Sequence, residues 1–528
     1  MSCLQEGQML LNRMKHRASS FIHQAIGERL AVVRLANCAC VHHRHCLHLA
    51  MLQRLALTST LLLVRTTAAR HNPSSAFLSS AHKSIYTGST ALKMQFNDAP
   101  AVSISDAFDG GNGKFEETTV LGGQAIVKVQ IKPDIYTELE KKHHFQHFYF
   151  RSAVKGSGTV KYAITNAGDA SYAKAWDGST TFASTTPSDP NSWKRVLDTS
   201  YDASTGHLTW TYNHESSGSV YFAYFPPFSY ERHLDLISRC EDSPACDVES
   251  LGKTLDGREI ECVTLGSGDR TCWIIHRQHP GENMAEFYAE GLLTRLLGLD
   301  TAGAIDGMVS KVLKMYTFHI VPSMNPDGAV RGHLRTNACG ANLNREWAST
   351  GEKGSDDYYE APTLERSPEV YHVLRKMDET GVDAFLDVHG DEALPFNFLA
   401  GSEGCTNWDH RLKALHGAFL ASYERSNSDM QRKISYEPDE PNHALTNICS
   451  NQIGLRFNCF SATLEQPFKD CLTNPDPERG WNPARAAQLG QSVIDALAYV
   501  HPYLRDETEF WSGLPNADAY VRPTNKYN

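Results

Sequence analysis

His279 and Glu282 stand three residues apart in "RQHPGEN", residues 277–283, directly after the apolar run Cys272-Trp273-Ile274-Ile275. An imidazole and a carboxylate at that spacing, on a turn that enters a helix, can converge on one divalent ion. Pro-Gly is also ordinary turn punctuation. The spacing recurs at His389-Gly-Asp-Glu392, so the pair alone decides nothing. A catalytic zinc site takes three protein ligands from His and Asp/Glu and keeps one position open for water. The third normally comes from a distant strand, and His389, closing "FLDVH", is the best placed. Glu392 then belongs to the surrounding loop or the outer shell.

Hydrolysis also needs a base that takes the proton of the activated water and delivers it to the leaving amine. Glu465 closes an alternating stretch in "SATLEQPFKD", where a buried carboxylate is costly unless it has such a task. The plainer reading pairs it with Lys469 at a strand edge. Residues 325–347, "NPDGAVRGHLRTNACGANLNREW", are rich in Asn, Gly and Arg and read as an irregular loop. Arg335, Asn344 and Arg345 offer guanidinium forks and a directed amide, which suit an anionic substrate end and the oxyanion of a tetrahedral intermediate. A solvated basic loop would have the same composition.

These groups need strands to hold them. After residue 250, strand-like "REIECVTLG" (258–266) and "RTCWIIHR" (270–277) lead into a helix with apolar Met284, Phe287, Tyr288, Leu292, Leu293 and Leu296. Strand-like 315–325, 382–390 and 455–465 then alternate with helices near 367–379 and 408–425. Such alternation predicts an α/β unit with a mostly parallel central sheet flanked by helices. Sites in these sheets gather at the carboxyl ends of strands, where His279, His389 and Glu465 all fall. Between about residues 95 and 232 the period is two instead. Short stretches such as "AIVKVQIK" (125–132) and "HLTWTYNH" (207–214), separated by turn residues, predict an antiparallel β-sandwich. His143, His144 and His147 cluster there and read as surface or packing residues. The expected organisation is therefore 1–94 targeting or disordered, 95–232 sandwich, 233–505 catalytic and 506–528 a polar tail.

At 528 residues the chain has room for two or three units. Its first 97 residues hold eleven Lys/Arg against Glu6 and Glu28, a local +9 within a total of −11, which leaves −20 on the rest. An acidic body argues against nucleic-acid binding, which depends on Lys and Arg neutralising phosphates. Thirteen scattered cysteines form no disulfide framework or metal motif, so reduced thiols in an intracellular compartment are expected. From Arg29 to Phe96 the sequence is acid-free and rich in Ser, Thr and Ala, the composition of a mitochondrial or plastid transit peptide. The apolar run at 55–64 also fits a secretory signal core, and a start at Met51 or Met94 is the alternative to targeting. Ten apolar residues are too few for a spanning helix, which takes about 20, so no transmembrane segment is expected.

"HPGE", "NPDG…RTN…NLNR", "VHGDE" and "TLEQPFKD" occur in an order that resembles the zinc carboxypeptidase family, most closely its cytosolic carboxypeptidase subfamily, which also places a β-sandwich first. The motifs cover roughly 255–470. By matching position the resemblance implies one zinc ion per chain on His279, Glu282 and His389. It further implies Glu465 as general base, Arg335 at the oxyanion, and Asn344 with Arg345 gripping a terminal carboxylate. The implied partners are peptide or protein C-termini, extending to acidic, polyglutamylated tails, in the cytosol. Asn342 stands where digestive members carry an aspartate, so support for a zinc histidine would come from an amide oxygen. The mobile tyrosine of those members has no clear counterpart; Tyr436 is the nearest upstream and is left outside the site. For acidic tails, Arg331, Arg335 and Arg345 form a cationic loop. Arg456 is a further candidate, although strand alternation faces it away from Glu465. The alternatives are an amidohydrolase of small N-acyl amino acids and a zinc-bearing binding module without catalysis.

Overall fold

In the computed structural model, residues 99–513 are described, apart from 139, 141, 354, 356 and 357. All lie within one compact unit, Gln95–Asn528. Residues 1–94, expected from sequence to be a targeting or disordered segment, and most of the expected C-terminal tail fall outside the described residues.

The period-two region forms two five-stranded sheets. One runs, in spatial order, through Ala101–Ser105 (β1), Tyr149–Lys155 (β4), Gly218–Ala223 (β10), Thr181–Ser184 (β6) and Lys194–Val196 (β7). The other runs through Lys114–Leu121 (β2), Gln124–Gln130 (β3), Gly158–Ile164 (β5), His207–His214 (β9) and Ser200–Asp202 (β8). Pairing is antiparallel except between β3 and β5. Alternation of buried Ala125, Val127 and Val129 with half-buried neighbours turns one face of β3 inward. Trp176, Trp210, Phe148, Phe150 and Tyr162 fill the space between. His144 and His147 are packed, the latter against the carbonyl of Gly110.

The second half builds a seven-stranded mixed sheet, ordered Cys246–Lys253 (β11), Glu259–Gly266 (β12), Tyr316–Val321 (β14), Arg270–His276 (β13), Ala384–Val388 (β15), Phe460–Glu465 (β17) and Phe398–Ala400 (β16). β14, β13, β15 and β17 are mutually parallel, and the flanking strands pair antiparallel. Both faces are covered. Cys272 and Ile274 of β13 point to the layer of helices Asn283–Leu297 and Pro483–Val500, while Trp273 and Ile275 point to helices Pro368–Thr380 and Cys449–Phe457. Every residue of β15 and β17 is buried, as expected for strands covered on both sides.

One stretch departs from expectation. Residues 455–465 are not a single strand, because helix Cys449–Phe457 runs into them and ends at Asn458, whose φ of 47° is left-handed. Asn tolerates that conformation as a helix stop, and the strand begins at Phe460. Arg456 is therefore helical, exposed and paired with Asp378 at 2.7 Å, so it is not a pocket residue. Arg331 is likewise diverted, donating to both oxygens of Asp256.

Candidate active site

β13, β15 and β17 are neighbours in register, with His276 opposite Val388 and Val388 opposite Leu464. Their carboxyl ends therefore open side by side and deliver the three segments carrying His279, His389 and Glu465. The chain leaves β13 through Arg277, which adopts a left-handed φ of 57°. Such a conformation costs roughly 1 kcal/mol or more in a non-glycine residue. The Arg277 guanidinium is fixed in place by the carbonyls of Pro280 and Phe228 and by Glu286 and Asn283. Gly281 has a packing reason: a Cβ there would meet the Leu334 carbonyl oxygen at 2.9 Å, and its N–H donates to that same oxygen at 3.0 Å. The turn is thereby tied to the loop bearing Arg335.

His279 Nδ1 lies 2.7 Å from Glu282 Oε1 and 3.1 Å from His389 Nδ1, and His389 Nδ1 lies 2.8 Å from Glu282 Oε2. All three residues are buried, and one donor atom from each falls within a 4.8 Å cluster. Ligands held about 2.1 Å from a tetrahedral zinc sit roughly 3.4 Å apart, close to the spacing found between the two histidines. Burial, with the charge of Arg335, pushes His279 down to about 3, so its ring is neutral. Burial would also depress His389, but Asp387 and Glu282 hold it well above the usual histidine range. A metal would displace that proton.

The far nitrogens are supported as well. His279 Nε2 meets Asn342 Oδ1 at 3.1 Å, the amide oxygen expected from sequence. His389 Nε2 is 2.9 Å from Asp387 Oδ2, which Gln278 Nε2 also reaches at 2.6 Å. Outer partners of this kind, a hydrogen bond at His279 and an ion pair at His389, fix ring orientation at metal sites. Asp387 escaped the sequence reading, although two residues before His389 on a strand is the same face.

Around these atoms lies a cavity of about 430 Å³ whose wall includes Glu465, Arg335, Asn344 and Arg345. Glu465 Oε2 is buried and has no hydrogen-bond partner among the described residues. Burial, reinforced by the carboxylates of Glu282, Asp391 and Glu392, pushes Glu465 well above the usual carboxylate range despite His389 nearby. Lys469 does not pair with it but donates to the Asp177 carbonyl at 2.6 Å. Asn344 Oδ1 accepts from the Cys449 N–H at 2.8 Å, which directs the Nδ2 donor elsewhere. Glu392 lines the cavity too, outside the ligand cluster.

Two tyrosines line the wall, one named from sequence but left outside the site and one not anticipated. Tyr436, 37% exposed, places its hydroxyl 2.6 Å from Asp391 Oδ2 and 3.2 Å from Glu465 Oε1. Tyr172, from the β-sandwich, accepts a hydrogen bond from Arg335 Nη1 at 3.1 Å. Proximity to the base motif pointed to Tyr436; nothing in the sequence pointed to Tyr172.

The family model described as zinc carboxypeptidase matches residues 231–452, and that described as cytosolic carboxypeptidase N-terminal domain matches residues 104–225. A solved structure titled putative carboxypeptidase A, from Shewanella denitrificans, is 42% identical with a TM-score of 0.67, covering 76% of this chain and 99% of its own. A metallo-carboxypeptidase from Pseudomonas aeruginosa is 35% identical with the same TM-score, covering 76% of this chain and 100% of its own.

The chain belongs to the zinc carboxypeptidase family.

It is a peptidase of the hydrolase class acting on peptide C-termini. All the cavity residues anticipated from sequence fall inside the matched segment except Glu465, which lies beyond its end. Cytosolic carboxypeptidase 3 from Bos taurus is 25% identical over 471 residues, which is 83% of this chain but 44% of that protein. The chain thus spans less than half of that relative. Among the described residues no helix is long and apolar enough to cross a membrane, and the nine cysteines are all free.

Proposed function

We propose that this cavity removes C-terminal residues from peptides, with zinc held by His279, Glu282 and His389. The observation that carries the proposal is a His-Glu-His donor cluster, two of whose members, His279 and Glu282, share a cavity wall with Arg335 and an unpartnered buried Glu465 oxygen. When bound, zinc supplies Lewis-acid polarisation of the scissile carbonyl and lowers the pKa of water. Glu465 Oε2 takes the water proton and returns it to the leaving amine, as a positioned general base does. Arg335, half-buried and held by Tyr172, directs its charge at the developing oxyanion. Asn344 Nδ2 and Arg345 bind the terminal carboxylate, which sets the scissile bond one residue inward. The test is a pair of matched peptides, one with a free C-terminal carboxylate and one amidated, offered to the zinc-loaded protein. Release of the last residue from the free acid alone supports the reading; equal cleavage of the amide removes it.

For the side chain accepted, kinship with cytosolic carboxypeptidases favours acidic, polyglutamylated tails, and Arg335 and Arg345 are the cations of the wall. A second reading has its own observation: Glu403, Glu437 and Asp439 line the same cavity, which favours a basic residue. The Pseudomonas aeruginosa relative was solved with (2-guanidinoethylmercapto)succinic acid, a ligand bearing a guanidino group. Comparing kcat/KM for peptides ending in Glu, Leu and Lys, at low and physiological salt, separates the two. A lead for Glu at both salts supports tail trimming, and a lead for Lys supports the basic pocket.

A further inference from the structure

Asp134 belongs to the segment that follows β3 in the sandwich, yet its carboxylate is spent on the catalytic half of the chain. It is 3% exposed and accepts four hydrogen bonds from three consecutive residues. Leu334 N donates to Oδ1 at 2.7 Å, while Arg335 N, Thr336 N and Thr336 Oγ1 donate to Oδ2 at 2.9, 2.9 and 3.0 Å. Asp134 is itself fixed, since its N–H donates to the His144 carbonyl at 2.8 Å. The other end of Arg335 meets the same domain, at Tyr172 Oη. Tyr172 is held in turn by its own N–H donating to Gln146 Oε1 at 2.8 Å.

Successive peptide N–H groups converging on one anion form a rigid concavity, here closed by a side chain of the neighbouring domain. We infer that Asp134 is a positioning residue for Arg335, with Tyr172 steering the guanidinium that Asp134 anchors through its backbone. The β-sandwich is in this sense part of the active site. The inference rests on the oxyanion role proposed above for Arg335. A guanidinium that must meet charge only as it develops has to be placed beforehand, because reorganisation during the step would forfeit its advantage. Without Asp134, three buried N–H groups would lose their acceptor and the loop would re-pair elsewhere.

The test is Asp134→Asn in the full chain. Asparagine keeps the shape but turns an amide toward N–H donors. The expected result is a fall in kcat of about 10- to 100-fold, with KM and zinc content unchanged. In an Arg335→Ala background, Asp134→Asn should cost little more, because both changes act on one group. Tyr172→Phe, which removes only the hydroxyl, should show a smaller kcat loss with the same non-additivity. It keeps the test decisive if Asp134→Asn does not fold. Multiplicative losses in the double variants, or losses confined to KM, overturn the inference while leaving Arg335 in its role. An Arg335→Ala protein of normal kcat overturns both.

Discussion

Replacing His233 by glutamine removes the charge at the centre of a buried network that ends on the turn carrying His279 and Glu282. His233 is 2% exposed, with Nδ1 at 2.6 Å from Glu286 Oε1 and Nε2 at 3.2 Å from Glu261 Oε2. Its ring stacks on Tyr230, and Glu286 is also paired with Arg277 at 2.6 Å. Burial alone would lower His233, but the two carboxylates outweigh it and raise it from 6.5 to about 9. That difference corresponds to about 3 kcal/mol favouring the folded state. The sign follows from the direction. A histidine raised on folding contributes in full below pH 6.5, and the contribution is lost as pH climbs through about 9. Urea unfolding of His233→Gln and the parent protein, at several pH values from 6 to 10, measures the gap. The variant should be less stable by about 3 kcal/mol near pH 6, and the curves should close together above pH 9. Tyrosines and lysines that titrate in that range are common to both proteins and cancel in the difference. A gap that stays constant across the range would refute a charge contribution and leave only lost packing.

Other outcomes test the site itself. Glu465→Gln should retain zinc and substrate binding yet lose turnover by about 10²–10⁴-fold, read by metal analysis alongside kcat. His389→Ala should lose zinc on dialysis, whereas Asn342→Ala, which only releases the far nitrogen of His279, should weaken zinc by about 10- to 100-fold in chelator competition. Tyr436→Phe removes hydroxyl contacts to Asp391 and Glu465 from a partly exposed side chain, so kcat should change without loss of thermal stability.

Periodicity carried the fold a long way because local burial dictated it. "HLTWTYNH" is β9 residue for residue, and "RTCWIIH" is β13. The carboxyl ends of β13, β15 and β17 were legible too, since each run of buried residues stops at a polar group with no other reason to be there. The same rule misled at 455–465, where Leu455, Phe457 and Cys459 at every second position suited a strand equally well. A left-handed asparagine made the division. Arg456 was lost with that strand, and with it one further candidate cation for an acidic tail. Arg331 was misjudged for a related reason: charge is visible in a sequence, but the partner that consumes it, here Asp256, is not.

The sandwich contributions mark where sequence reading ends. Asp134 and Leu334 are separated by 200 positions, and Tyr172 and Arg335 by 163. No periodicity links residues that far apart, and an aspartate after a strand ordinarily reads as turn chemistry. Their energetic logic is nevertheless simple. A buried loop that presents three N–H groups in succession needs an acceptor, and a single carboxylate serves all three if it arrives from outside the loop. A domain packed against the catalytic sheet can supply it without distorting the metal turn, to which the same loop is already tied through Gly281 and Leu334. Metal turn, arginine loop and sandwich are thus joined by hydrogen bonds at consecutive residues. A change in the way the two halves pack should therefore reach Arg335 before it reaches the ligands.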